Sequence, residues 1–419
     1  MQKHILKNGL TVLLSPLPHV RSIAIGVYAK TGSANETEKE SGISHLVEHM
    51  LFKGTKTRSA KDIASAIEGR GGSLNAYTDK ERTCYLIHTV DDEFSTALEI
   101  LADMYQNSVF DPVELELEKG VVQEEIAREL DDPSSYSHSL FVSKRWKTSP
   151  YGREVLGSKE SVQALTAIDL HNHVKLKYTA PNTIISIAGN FDPKEALKEV
   201  EKYFENLSSD ISVQNQPLTL VSTIESEILH WDTEQSYFCI GWDAPSSSDD
   251  ARFASYVLNT AFGGEMYSRL FQEIREKRGL AYSVGSYTGH SKVGGLFIAY
   301  GGINPKHWDE VQNIVISEMK DISANGLHQE ELEMAKNTMI GQIKLSRETP
   351  MSIMGQTAND EIKFGEKRSI DMHIAPIRNV TSNAVIDYVR ASCQPNQASY
   401  TLVCPHKQKQ GLFAKIFRK

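Results

Sequence analysis

The sequence predicts a mixed chain of helices and strands, built from one unit used twice. Strand-like and helix-like segments alternate along its 419 residues. A polar, weakly periodic stretch over 205–222 interrupts the alternation near mid-chain. Beyond it the pattern restarts. "IGVYAKTGS" begins at Ile25 and "IGWDAPSS" at Ile240, an offset of 215. The proline of "YTAPN" is residue 181 and that of "SCQPN" is 395, an offset of 214. A near-constant offset at both ends marks a duplicated unit. The chain is long enough for two or three cores, and the restart places domains at 1–215 and 216–419.

The first half begins with "MQKHILKNGLTVLL", where Asn-Gly reads as a hairpin turn between strands. "GLTVLLSPL" and "SIAIGVYAKTGS" are strand-like. A helix over 44–52 and another over "SAKDIASAIEGRG" follow, then a hairpin in "SLNAYTDKERTCYLIHTV". Two long helices come next, near 93–107 and 112–130, the second opened by Asp111 as N-cap and Pro112 at the first helical position. In the second half, "FQEIREKRGLAYSV" reads as a helix ending near Gly279 and then an extended run.

Composition excludes several functions. Lys and Arg number 45 and Asp and Glu 54, a net charge of −9, which argues against nucleic acid as the main partner. No apolar run approaches the ~18–20 residues a membrane span needs, and the N-terminus does not read as a signal peptide. Cys84, Cys239, Cys393 and Cys404 are scattered with no C-x-x-C, as in a reducing, cytoplasmic setting. The basic tail "KQKQGLFAKIFRK" fits either a short helix packed on its own domain or contact with a membrane surface or partner. The glycine clusters lack phosphate-loop or dinucleotide spacing. His171 and His173 are two residues apart, diverge on a helix and read as surface or core.

One short stretch carries chemistry. "SHLVEHMLFKGT" (44–55) places His45 and His49 one helical turn apart, so both imidazoles leave the same face. Two neutral imidazoles at that spacing suit a zinc ion. Glu48 borders the face, where a carboxylate is placed to take a proton without being a ligand. The pattern is H-x-x-E-H, the reverse of the H-E-x-x-H zinc signature. Histidines beside an apolar helix face are more often packing residues, so the motif needs a third ligand. The helix "DPVELELEKGVVQEEIARELDD" is rich in carboxylates, most of them solvated. Glu118, Val121, Val122 and Glu125 share one of its faces by spacing. Aligning Phe52-Lys53-Gly54 with Phe262-Gly263-Gly264 puts Ser255, Leu258 and Asn259 where the first half has His45, Glu48 and His49. On this alignment the second half keeps the fold without the metal residues.

With these motifs the sequence resembles the inverted-motif zinc metallopeptidases, the family of mitochondrial processing peptidase, insulin-degrading enzyme and pitrilysin. The resemblance is carried by "HLVEHMLFKGT", "GGSLNAYT" (71–78), "LEKGVVQEEI" (117–126), "SPYGREVLGS" (149–158), "YTAPN" (178–182) and "GGEMYSRLFQEIREKRGLAYSV" (263–284). Length and plan are similar to the shorter bacterial members. The resemblance implies an α+β fold of two repeats, each an antiparallel sheet covered by helices, facing each other across a cavity. It implies a zinc endopeptidase in which His45, His49 and Glu125 bind Zn2+ and Glu48 is the general base. Glu118 would support the site from behind. Asn75 and Ala76 would lie on an edge strand that pairs with the peptide backbone. Arg275 and Tyr282 would complete the site from the second half, although an arginine there equally suits a surface pair with a nearby glutamate. A second chain, identical or related, would close the chamber. The other reading is a non-catalytic, peptide-binding subunit of an active relative.

Overall fold

The computed structural model describes residues 1–210 and 220–406. The expected boundary at 215/216 and the basic tail over 407–419 lie outside the described residues. The strands form two sheets. The first contains β1 (Gln2–Ile5), β2 (Thr11–Pro16), β3 (Ser22–Ala29), β4 (Ser73–Thr78), β5 (Thr83–Val90) and β6 (Thr183–Gly189), in the order β1-β2-β6-β3-β5-β4. The second contains β7 (Glu227–Trp231), β8 (Ser236–Ala244), β9 (Ala281–His290), β10 (Gly295–Ile303) and β11 (Ser399–Pro405), in the order β7-β11-β8-β10-β9. The fold is α+β, as expected.

From β2 to β4 the first sheet has the topology of the whole second sheet. The sheets are not wholly antiparallel: β2 runs parallel to β6, and β7 parallel to β11. β6 returns beside β2, and β11 beside β7, after a long helical crossover, the kind of connection a parallel pair requires. Only β1 lacks a counterpart among the described residues; it forms the N-terminal hairpin, with Gly9 at φ +93° and Asn8 Oδ1 accepting from the Leu10 N–H.

The expected helices form as α1 (Ile43–Leu51), α2 (Ala60–Glu68), α3 (Phe94–Asn107) and α4 (Pro112–Asp131), and a further helix, α5 (Pro133–Arg145), follows them. Ser59 accepts from the Asp62 N–H to start α2, and Asp111 accepts from the N–H groups of Val113 and Glu114 to start α4. α1 and α3 lie on one face of the first sheet, α2 packs beside α3, and α4 packs across α1.

The other face of each sheet is covered by a helix from the opposite half. Helix Pro350–Phe364 lies on β3 and β6, and α5 lies on β8 and β11. This explains why "SIAIGVYA" is buried along almost its whole length. Ile23, Ile25 and Val27 enter the core beneath α1 and α3, while Ala24 and Tyr28 face the exchanged helix. The two exchanged contacts share a device. A Cβ on Gly26 would meet Met354 Sδ at 2.3 Å, and one on Gly241 would meet the Phe141 ring at 2.8 Å. These are the glycines of "IGVYA" and "IGWDA", so the repeated sequence marks the place where each half receives the other's helix.

Candidate metal centre

α1 buries Leu46, Val47, Met50 and Leu51 in the first core. That orientation leaves His45 and His49 turned toward α4, their ring centroids 4.5 Å apart. On α4, Glu118, Val122 and Glu125 face inward, with Val122 fully buried. Val121, which spacing places on the same strip, is 46% exposed and lies off it. Glu125 Oε2 stands 3.7 Å from His45 Nε2 and 3.7 Å from His49 Nε2.

Those distances decide what the cluster suits. They are too long for a hydrogen bond. Ligand atoms about 2.1 Å from a tetrahedral zinc ion lie roughly 3.4 Å from one another. Ligand atoms of His45, His49 and Glu125 all fall within 4.8 Å of one another, and no other group of this kind occurs among the described residues. His45 Nδ1 is buried without a hydrogen-bond partner, so the Nε2 edge is the one its surroundings address. Zinc therefore fits the donors present.

The electrostatics agree. Burial, then the charge of His49, pushes the His45 pKa down to about 4, which keeps the imidazole in the neutral form that ligates metals. Burial also opposes charge on His49, but the hydrogen bond to Glu118 and the charge of Glu125 outweigh it and raise the His49 pKa. A surplus of carboxylates thus draws positive charge to this point. The His49 Nδ1–Glu118 Oε1 distance is 2.8 Å, which fixes the ring with Nε2 toward Glu125. Lys53 pairs with the other oxygen of Glu118. Burial would raise the Glu118 pKa, but bonds from His49 and Lys53 hold it below the usual range.

Glu48 is only 9% exposed and ligates nothing in this cluster. Burial raises its pKa, partly offset by the Thr78 hydroxyl, which donates to Glu48 Oε2 at 2.5 Å. Thr78 was not singled out by the sequence reading. Its signal was the strand period of two: Leu74, Ala76 and Thr78 share the less exposed side of β4.

β4 is the edge of the first sheet and carries Asn75 and Ala76 opposite Leu86 and Tyr85 of β5. Asn75 is exposed, and its side chain accepts from the Ala76 N–H at 2.8 Å. Arg275 lies in a π-helical turn, Phe271–Glu276, and Tyr282 on β9, the edge of the second sheet. The Arg275 guanidinium sits 5.2 Å from the Tyr282 ring and 4.7 Å from that of Phe271. Tyr282 is 82% exposed. No hydrogen bond, ion pair or ring contact among the described residues joins either one to His45, Glu48, His49 or Glu125. The structure brings together His45, Glu48, His49, Glu118 and Glu125. It pairs Arg275 with Tyr282 separately.

Among the described residues the second half carries no equivalent cluster. On helix Ala251–Asn259, Ser255 bonds Thr288 at 2.8 Å, Leu258 is buried, and Asn259 Oδ1 accepts from Ser286 Oγ at 2.8 Å. The metal positions have become structural polar contacts.

Residues 11–159 match the family described as insulinase (peptidase family M16), and residues 164–339 match the peptidase M16 inactive domain. The second match contains none of the cluster residues. The chain is 36% identical to an uncharacterized zinc protease of Streptomyces coelicolor, over 97% of this chain and 90% of that one. It is 34% identical to an uncharacterized zinc protease of Bacillus subtilis, over 92% and 94%. Among solved structures, a protease from Helicobacter pylori superposes with a TM-score of 0.90 at 22% identity, over 96% of this chain and 99% of that one, a likeness of fold. With both halves matched and such identity along nearly its whole length, the chain belongs to the M16 (insulinase) peptidase family.

Proposed function

We propose that the protein is a zinc-dependent endopeptidase acting on peptides or unfolded polypeptide segments. The observation that carries this reading is the convergence of His45, His49 and Glu125 beside a buried, non-ligating Glu48. His45, His49 and Glu125 hold the zinc, which when bound supplies a Lewis acid that polarises the scissile carbonyl and makes water a nucleophile near neutral pH. Glu48 accepts the proton of the attacking water and passes it to the leaving amine. Thr78 keeps that carboxylate in place, and Glu118 holds the His49 ring by its far nitrogen. The open edge of β4 at Asn75 and Ala76 pairs with substrate backbone, a mode that tolerates many side chains. Arg275 and Tyr282 donate to the oxygen that gains charge in the tetrahedral intermediate. The enzyme works in the cytoplasm, in keeping with four buried free cysteines, and pairs with a second copy or a related chain.

Metal analysis together with cleavage of a quenched peptide library tests the whole reading. One zinc per chain and turnover are expected. Peptide binding without turnover or zinc would favour the non-catalytic subunit.

The third ligand has its own test. Glu124 is exposed, and Glu129 accepts from Ser139 Oγ at 3.4 Å away from the cluster. Glu125→Ala should lose zinc to a mild chelator, while Glu124→Ala and Glu129→Ala retain it. Equal retention in all three would refute the assignment.

Tyr282→Phe should leave zinc content and folding unchanged and lower kcat by about 10²–10³, the usual cost of one oxyanion donor. Turnover at the wild-type rate would reduce this edge of the second half to a wall.

A further inference from the structure

Helices Ala251–Asn259, Pro350–Phe364 and Ile370–Arg378 border a crevice of about 220 Å3. Its lining residues all belong to the second half, and one of its helices, Pro350–Phe364, also rests on the first sheet. None of the metal-cluster residues lines it.

Three cations do: Arg252, Lys363 and Arg368. Their neutralisation within the protein is incomplete. Asp360 is the one carboxylate lining the crevice, and it is already engaged by Gln356 Nε2 at 2.9 Å and His373 Nε2 at 3.0 Å. The Arg252 side chain is 7% exposed, yet its acidic partner, Asp250 at 3.3 Å, is 93% exposed. Arg252 Nη1 also donates to the Asp249 carbonyl. Arg368 reaches Glu366 at 3.3 Å through Nη2, while its Nε is buried with no partner. Lys363 makes no hydrogen bond or ion pair among the described residues. The protein packed around its ammonium, then Arg82 and Arg252, lower the Lys363 pKa, with Glu81 and Asp360 acting the other way.

The crevice is also rich in donors. The Phe364 ring centroid lies 3.7 Å from the Arg368 guanidinium and 5.6 Å from that of Arg252, so one ring neighbours both forks. Ser247 and Tyr256 line the same space, and neither hydroxyl bonds within the described residues. Cations held this close with unfilled donors call for an anion. A carboxylate offers two oxygens in one plane. A phosphate offers three or more acceptors in a tetrahedron and carries close to two charges, which matches two guanidiniums, an ammonium and two hydroxyls supplied by two helices and the segments beside them.

We infer that this crevice is a binding site for a small phosphate-bearing anion, distinct from the metal cluster. The probes are inorganic phosphate and pyrophosphate, titrated calorimetrically into the full-length protein at constant ionic strength, with succinate as the dicarboxylate control. One saturable site is expected, with phosphate raising Tm by mass action. Lys363→Gln and Arg368→Gln should each weaken binding about tenfold or more, the loss of one charge-assisted contact. Lys363→Arg should retain it. Lys363 belongs to none of the hydrophobic clusters, so its substitution leaves the core intact and separates lost binding from lost folding. Phosphate held at the metal cluster would be indifferent to both variants. Absence of saturable binding, equal affinity for succinate, or unchanged affinity in both Gln variants would overturn the site.

Discussion

Glu48→Gln is expected to abolish most peptidase activity while the protein keeps its zinc. The amide preserves the shape of the carboxylate and can still accept from Thr78, so α1 and β4 stay in register. What it loses is the ability to take up a proton. General acid–base groups contribute about 10²–10⁴ in rate, and the loss in kcat should fall in that range. Because Glu48 stands outside the ligand set, metal analysis of the variant should match wild type. An empty site would make Glu48 a ligand, and near-normal turnover would move the base elsewhere. Either result would break the assignment in an identifiable way.

Arg145→Ala should produce the largest loss of stability from a single site outside the metal cluster. Arg145 ends α5, the helix that the first half lends to the second sheet, and its side chain is 2% exposed. Its guanidinium binds Asp243 with two bonds of 3.0 and 2.8 Å, and donates to the Gln397 carbonyl and Ser399 Oγ, each at 3.0 Å. Breaking a buried pair by removing one partner costs about 3–5 kcal/mol. Asp243 is 38% exposed and also receives the Ser222 hydroxyl, so the lower end, about 3 kcal/mol, is the expectation. The midpoint of urea unfolding should fall, and zinc bound by the native protein should be unaffected. An unchanged midpoint would mean that apolar packing of Phe141 and Trp146 alone holds the exchanged helix.

Much of this molecule is local in origin, and what is local was legible in the chain. The four-residue spacing of His45 and His49 settles that both rings leave one side of α1, because a helix closes a turn in 3.6 residues. Caps at Ser59 and Asp111 and the turn at Gly9 depend on neighbours within a few positions, and they form as their residue types require. The repeated "IGVYA" and "IGWDA" announce the duplication.

Other features depend on partners far along the chain. Nothing in the sequence reading singles out the helices over 133–145 and 350–364 or says which sheet each covers; each rests where a glycine, Gly241 or Gly26, leaves room for Phe141 or Met354. The parallel pairs β2/β6 and β7/β11 follow from chain return across most of each half. Spacing put Val121 beside Glu118 and Glu125, yet where α4 packs on α1 Val121 stays 46% exposed. Only packing brings Glu125 within 3.7 Å of two imidazoles, Thr78 onto Glu48, and Glu118 behind His49. The sequence by itself determined which side chains could do metal chemistry and which helix faces they occupy, since those follow from fixed backbone geometry. The tertiary structure decided which carboxylate meets the histidines and which stands behind them, because that rests on the crossing of two helices 69 residues apart at their nearest bond.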